Sequence, residues 1–176
     1  MIFLNIISII FIIFLLFCVV SVLLSSLSMA PWLPSRKRDL PRIAKLAALK
    51  PGEIFYDLGC GDGRILFYLV KESKAKGIGI ELSFTFFLIC QIRKFFLKRK
   101  NLIFKWKNLF KEDISQADLI YVFALPESLE KRLKLKFEKE LKPGSRVISY
   151  SFKINGLEPK LVDQLEGRPP IYIYQF

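Results

Sequence analysis

The stretch "YDLGCGDGRI", Tyr56 to Ile65, sets three glycines and two aspartates among apolar residues. The residues leading into it, "EIFYDL", read as a short apolar strand, and those leaving it, "GRILFYLVKES", place apolar side chains at helical spacing. Gly59, Gly61 and Gly63 therefore join a strand to a helix. Glycine accepts positive φ and lets a bound molecule approach bare backbone, while the helix that follows presents unpaired N–H groups. The spacing is G-x-G-x-G, whereas a dinucleotide fingerprint reads G-x-G-x-x-G and keeps acids away from the pyrophosphate. Here Asp57 and Asp62 bracket the turn. Their charge would repel a pyrophosphate and suits a ligand carrying an ammonium group, held by Asp57 directly or through water.

Outward from the turn, strand and helix patterns alternate. "AKGIGIEL" reads as a strand, "SFTFFLICQIRKFFLKRK" as a long helix capped by Ser83, and "NLIFKWKN" as a strand. After an acidic loop, "KEDISQA", come the fully apolar strand "DLIYVFAL" and the helix "PESLEKRLKLKFEKELK", with Pro126 and acids early and lysines late. "SRVISYSF", "PKLVDQL" and "IYIYQF" complete the pattern. Such alternation means βαβ units and a mostly parallel sheet, which binds ligands beyond the carboxyl ends of its strands. Glu81 closes the second strand, where an acid accepts hydrogen bonds from both hydroxyls of a ribose. Asn108 and Leu109 follow the third, placed to read the edge and face of an adenine. Ammonium, ribose and adenine together describe S-adenosylmethionine.

"DLGCGDGR" with Glu81 resembles the cofactor motifs of class I, seven-strand S-adenosylmethionine-dependent methyltransferases over residues 51–176. The resemblance implies an α/β, Rossmann-like sheet, mostly parallel with an antiparallel C-terminal strand. It implies a cofactor site formed by Asp57, Gly59, Cys60, Gly61, Asp62, Gly63, Glu81, Asn108 and Leu109. Two other readings compete: a glycine turn with incidental acids, and a nicotinamide or flavin oxidoreductase. The N-terminal apolar segment, "PWLPSRKRDLPRIAKLA", "YDLGCGDGRIL" and the ending "RPPIYIYQF" resemble a narrower group. That group comprises small membrane-associated methyltransferases, including the lysine methyltransferases of mitochondrial ATP synthase c-subunit and of the adenine nucleotide translocase. Membership would imply an ε-amino group of a membrane protein as acceptor.

"FALPE", Phe123 to Glu127, stands where many amino-methylating relatives keep Asn or Asp, then Pro-Pro and an aromatic. The departure counts against planar adenine or glutamine amino groups as substrate. Glu127 is the carboxylate there that can orient an ammonium as a catalytic candidate, although an acid at the start of a helix is the plainer reading. Phe123 and Trp32 can wall an acceptor channel, pack in the core or, for Trp32, anchor at a membrane interface. The chain has no histidine, which excludes histidine acid–base chemistry. Asp113 and Asp118 have no evident acidic partners and the cysteines no C-x-x-C spacing, so no metal is expected.

No charged residue occurs from Met1 to Ser35, and Ile2 to Leu24 is apolar almost throughout. At about 1.5 Å per residue, a helix of that length covers a hydrocarbon core of roughly 30 Å. A cleaved signal peptide would need a basic start and an apolar run of about 7–15 residues. We therefore expect a transmembrane anchor over 1–27, a proline-bearing connector with a short helix over 28–50, and a methyltransferase domain over 51–176. Arg36, Lys37, Arg38 and Arg42 follow the apolar run and place the domain in the cytoplasm by the positive-inside tendency. The chain's net charge is +12, and basic residues crowd into "RKFFLKRKNLIFKWK", Arg93 to Lys107, which suits anionic lipid headgroups or simply a solvated helix face, with nucleic acid third. The partners expected are a membrane, crossed once, and a membrane-protein substrate, with no nucleic acid. Methylation of a lipid or hydrophobic small molecule, and a non-catalytic S-adenosylmethionine-binding adaptor, are the alternatives.

Overall fold

The computed structural model describes residues 2–28 and 33–176, so Trp32 lies outside the described residues. Helix α1, Ile2–Ser28, is followed by the short α2, Leu40–Ala47. Pro41 sits in the first turn of α2 instead of ending the connector before it, because a first-turn residue has no N–H partner to lose. Then come β1 (Ile54–Leu58), α3 (Arg64–Ser73), β2 (Lys76–Glu81), α4 (Phe84–Phe96), β3 (Leu102–Trp106) and β4 (Leu119–Val122). One helical run, α5, consists of Pro126–Ser128, a π-helical turn Leu129–Leu133, and Lys134–Glu140. Strands β5 (Arg146–Tyr150), β6 (Leu161–Asp163) and β7 (Ile171–Gln175) end the chain. Helix α4 stops short of the basic run its sequence suggested, where Lys98 turns left-handed at φ 51°.

The seven strands lie in the order β3-β2-β1-β4-β5-β7-β6. All neighbours pair in parallel except β5 with β7 and β7 with β6. The central strands are buried on both faces and are correspondingly apolar, β4 throughout. On one face Ile43, Leu66, Val70 and Cys90 from α2, α3 and α4 pack on Phe55, Phe104 and Tyr121. On the other, Leu129, Leu133 and Phe137 of α5 pack on Tyr56, Ile80 and Val147.

The alternate glycines of "KGIGIE" let α3 come against β2. A Cβ on Gly79 would stand 2.7 Å from Leu66 and from Phe104 and 2.8 Å from Cys60. Gly79→Val should therefore lower stability by about 1–3 kcal/mol, as overpacked cores do, read by denaturant unfolding of the detergent-solubilised chain. An unchanged midpoint would show that these side chains yield freely.

Helix α1 is long and apolar enough to cross a membrane over Leu4–Leu23, with none of that span buried. It touches the domain at the start of α4. The Phe84 N–H donates to Ser21 Oγ at 2.7 Å, Thr85 Oγ1 donates to the Cys18 carbonyl at 3.1 Å, and the Phe17 and Phe84 rings meet edge-on at 5.4 Å.

Candidate active site

Chain order reverses between β1 and β4, and there the carboxyl ends of the central strands open a cleft. The turn after β1 forms its floor. Gly59 and Cys60 N–H donate to the Ile80 carbonyl at 2.9 and 3.1 Å, and Gly63 N–H donates to the Cys60 carbonyl at 2.8 Å. Gly59, Gly61 and Gly63 all take positive φ, a conformation in which a side chain would be strained. Glu81, at the tip of β2, ties this turn to the next. Its Oε2 accepts from Gly61 N–H and its Oε1 from Ser83 N–H, both at 2.8 Å.

Two aspartates flank the glycines and meet different fates. Asp57 is 3% exposed, and its Oδ2 has no hydrogen-bond partner among the described residues. Burial, then the charges of Glu81 and Asp62, push its carboxyl well above the ordinary range. Asp62 is held by a two-pronged Arg64 contact, Nε to Oδ1 and Nη2 to Oδ2 at 2.9 Å each, with Arg93 3.6 Å away. Burial works upward on Asp62, but Arg64 and Arg93 outweigh it and lower its pKa. Glu81 stays raised, because desolvation exceeds what its backbone donors return. The Cys60 thiol is pushed well up by its hydrogen bond with Cys90, by burial and by the nearby carboxylates, so it is no thiolate nucleophile.

Of the residues expected from sequence, Asp57, Gly59, Cys60, Gly61, Asp62, Glu81, Asn108 and Leu109 line this cleft together. Asn108 Oδ1 accepts from Phe110 N–H at 2.9 Å, which shapes the turn after β3. Gly63 is not among the lining residues. It starts α3 at φ 73°, and a Cβ there would meet Cys90, Phe104 and Phe67 at 3.0–3.1 Å. Glu127 is also outside the cleft: its side chain is 77% exposed and pairs with Lys131 one helical turn on at 2.9 Å. Phe123 does line it, edge-on to Tyr150 at 5.0 Å and stacked on Phe152 at 6.3 Å.

Sequence reasoning missed the wall made by the connector. Leu33, Pro34 and Ser35 line the cleft. Ser35 Oγ lies 2.6 Å from Tyr121 OH on β4, and Arg64 Nη1 donates to the Ser35 carbonyl at 3.1 Å. The fully buried Asp39 accepts from Tyr150 OH at 2.7 Å and anchors the same segment. Arg64, next to the glycine turn, was open to discovery as a partner for Asp62. The Ser35–Tyr121 pair, 86 residues apart, carried no local signal.

A mostly parallel seven-strand sheet with a glycine-lined cleft at its switch point and an acid ending the second strand defines a class I methyltransferase fold. The model of the ANTKMT methyltransferase domain matches residues 57–161, and the chain belongs to that family. A protein-lysine N-methyltransferase of Saccharolobus islandicus (strain REY15A) is 34% identical over 157 residues, spanning 86% of this chain and 96% of the relative. Among solved structures, an RNA methyltransferase from Salinibacter ruber in complex with S-adenosyl-L-homocysteine superposes with a TM-score of 0.76 at 29% identity, covering 81% of this chain and 93% of that one. A SAM-dependent methyltransferase from Aquifex aeolicus shares the fold at a TM-score of 0.62 and 18% identity, over 77% of this chain and 88% of its own. The protein is thus an S-adenosylmethionine-dependent methyltransferase. The cleft suits that cofactor: Asp57 Oδ2 has no partner among the described residues and can accept from a cationic donor, and the glycines of the turn beside it carry no side chains to crowd a ligand.

Proposed function

We propose that this enzyme methylates the ε-amino group of lysine in a membrane protein, with α1 crossing the bilayer once and the domain on the cytoplasmic side. The lysine acceptor is supported by the Saccharolobus relative, which is named for that activity. Delivery at a membrane is supported by one observation above others. Ser21 of α1 holds the backbone of Phe84, two residues from Phe86, which lines the cleft. An acceptor lying in the same bilayer would meet the enzyme beside its site.

In this reading Asp57 binds the cofactor's ammonium, Glu81 accepts from the ribose hydroxyls, and Asn108 and Leu109 hold the adenine. Bound S-adenosylmethionine supplies an activated methyl group on a sulfonium. The protein aligns and dries the acceptor. Phe86, Phe123, Leu125 and Phe152 present apolar walls to the cleft, and an amine brought among them loses hydration. Desolvation disfavours its charged form, so the lysine gives its proton to solvent water as it enters the cleft, before transfer and without a histidine. Tyr121, whose phenol is pushed well above its ordinary pKa chiefly by burial, stays neutral and holds Ser35 in the wall.

The test is incubation of the full chain in membranes with methyl-labelled S-adenosylmethionine, followed by separation of protein, lipid and RNA. Label on lysine of a membrane protein is the expected result. Label confined to the lipid extract or to RNA would replace the lysine acceptor, and cofactor binding without transfer to any fraction would make the chain an adaptor.

A further inference from the structure

The outward face of α4 is apolar beyond its first turn. Thr85, Ile89, Ile92, Phe95 and Phe96 recur at helical spacing on the side opposite the buried Cys90. Exposure rises along this stripe, from 37% at Ile89 and 48% at Ile92 to 78% at Phe95 and 75% at Phe96, and Leu97 adds 51%. Adjacent exposed phenylalanines form a patch that a water-facing helix has no reason to keep. The stripe also has a defined starting point: Thr85, its first member, is the residue that donates to the Cys18 carbonyl of α1. The apolar surface of α1 therefore continues onto α4.

Charge around the stripe has one sign. No acidic residue occurs from Leu82 to Lys111, and the end of α4 and the turn after it carry Lys94, Lys98, Arg99 and Lys100. Arg93, by contrast, is engaged inward, over the Phe67 ring at 4.5 Å and beside Asp62. Apolar side chains flanked by lysines are the composition of a helix lying in the headgroup layer, its apolar side toward the acyl chains.

We infer that the outer face of α4 is a second membrane contact, seated in a bilayer surface rich in anionic phospholipid. It holds the domain down with the cleft turned toward the membrane. The inference builds on the placement of α1 proposed above, since the two helices meet at Thr85. It adds a consequence that α1 alone does not impose. The bonds of Phe84 and Thr85 fasten the domain to α1, yet one spanning helix can still rotate and tilt in the bilayer, whereas a second contact along α4 sets the orientation, and Phe86 on the first turn of α4 brings the cleft mouth to the bilayer.

The contact is tested on the full chain, reconstituted in vesicles of phosphatidylcholine with phosphatidylglycerol, by a spin label at Phe96→Cys. Cys18→Ser removes the more accessible native thiol, and Cys60 and Cys90 are buried. A label at Leu135→Cys, on the outer surface of α5 and 61% exposed, serves as the aqueous reference. The label at position 96 should collide preferentially with oxygen and the one at 135 with a water-soluble nickel chelate. Lys98→Glu with Lys100→Glu, or phosphatidylcholine alone, should raise nickel collisions at position 96 several-fold. Equal nickel access at 96 and 135 overturns the inference, as does protection of position 96 from both reagents, which would mean that a second copy or another protein covers the face. Alkaline carbonate extraction reads α1 separately: a chain that extracts while the label at 96 stays oxygen-exposed loses the spanning helix and keeps the α4 contact.

Discussion

Asp57→Asn is expected to weaken S-adenosylmethionine binding and, in the same molecule, to make the ligand-free protein more stable. Asparagine keeps the size of the side chain and removes its charge. The charge-assisted bond to the cofactor's ammonium is worth about 1.5–3 kcal/mol, so affinity should fall roughly tenfold to a hundredfold, measured by titration calorimetry. Stability should move the other way, because the ligand-free fold buries this carboxylate without a partner for Oδ2 among the described residues. The pH dependence follows from the raised pKa. An acid whose folded pKa lies above its unfolded value favours the fold most below the unfolded value and loses that contribution as pH rises through the folded one. Taking 3.8 as the ordinary aspartate value, the advantage of the Asn variant should be absent below it and grow as pH climbs through the raised native value. Cofactor affinity of the native chain should rise over the same window, from the ordinary aspartate value up to the raised native one, with proton release on binding, and the variant's should stay flat. A variant with native affinity, or one less stable than the parent at neutral pH, would remove Asp57 from the ammonium site.

Glu81→Ala should lose both properties together. Its two oxygens are the acceptors for Gly61 and Ser83 N–H, and its side chain is only 7% exposed. Each buried donor left without an acceptor costs about 1–3 kcal/mol, so stability should drop by about 2 kcal/mol or more in urea unfolding. Cofactor binding should fall as well, through the missing diol acceptor and through a glycine turn no longer tied to the tip of β2. The opposite signs of these two stability effects are the discriminating result. Equal losses in both variants would mean that the two carboxylates are merely structural.

Much of this was legible beforehand. The strand, the three glycines and the following helix are neighbours in the chain, and their side-chain periods and positive φ requirements are local properties. For that reason "YDLGCGDGRI" predicts its own conformation. Glu81 was legible too, since the carboxyl end of a parallel strand next to the glycine turn has one place to point. Glu127 reads differently once folded. Its position after β4 suggested a group that orients the acceptor's ammonium or simply an acid at a helix start, and the helix starting at Pro126 turns it outward to Lys131, an exposed pair of one turn's spacing.

Sequence by itself determined the alternation of elements, the glycine turn and the long apolar start, because burial periodicity, glycine torsions and helix length are written in runs of neighbouring residues. Tertiary structure decided what each acid became. Asp57 and Asp62 flank the same turn, yet one is left without a partner for Oδ2 and the other is gripped by Arg64 with Arg93 beside it, a difference set by α3 and α4 folding over the turn. It also decided that the connector walls the cleft through Ser35 and Tyr121, and that α1 continues onto the face of α4. Such contacts join residues that only the order of strands in the sheet and the crossing of helices bring within hydrogen-bond distance.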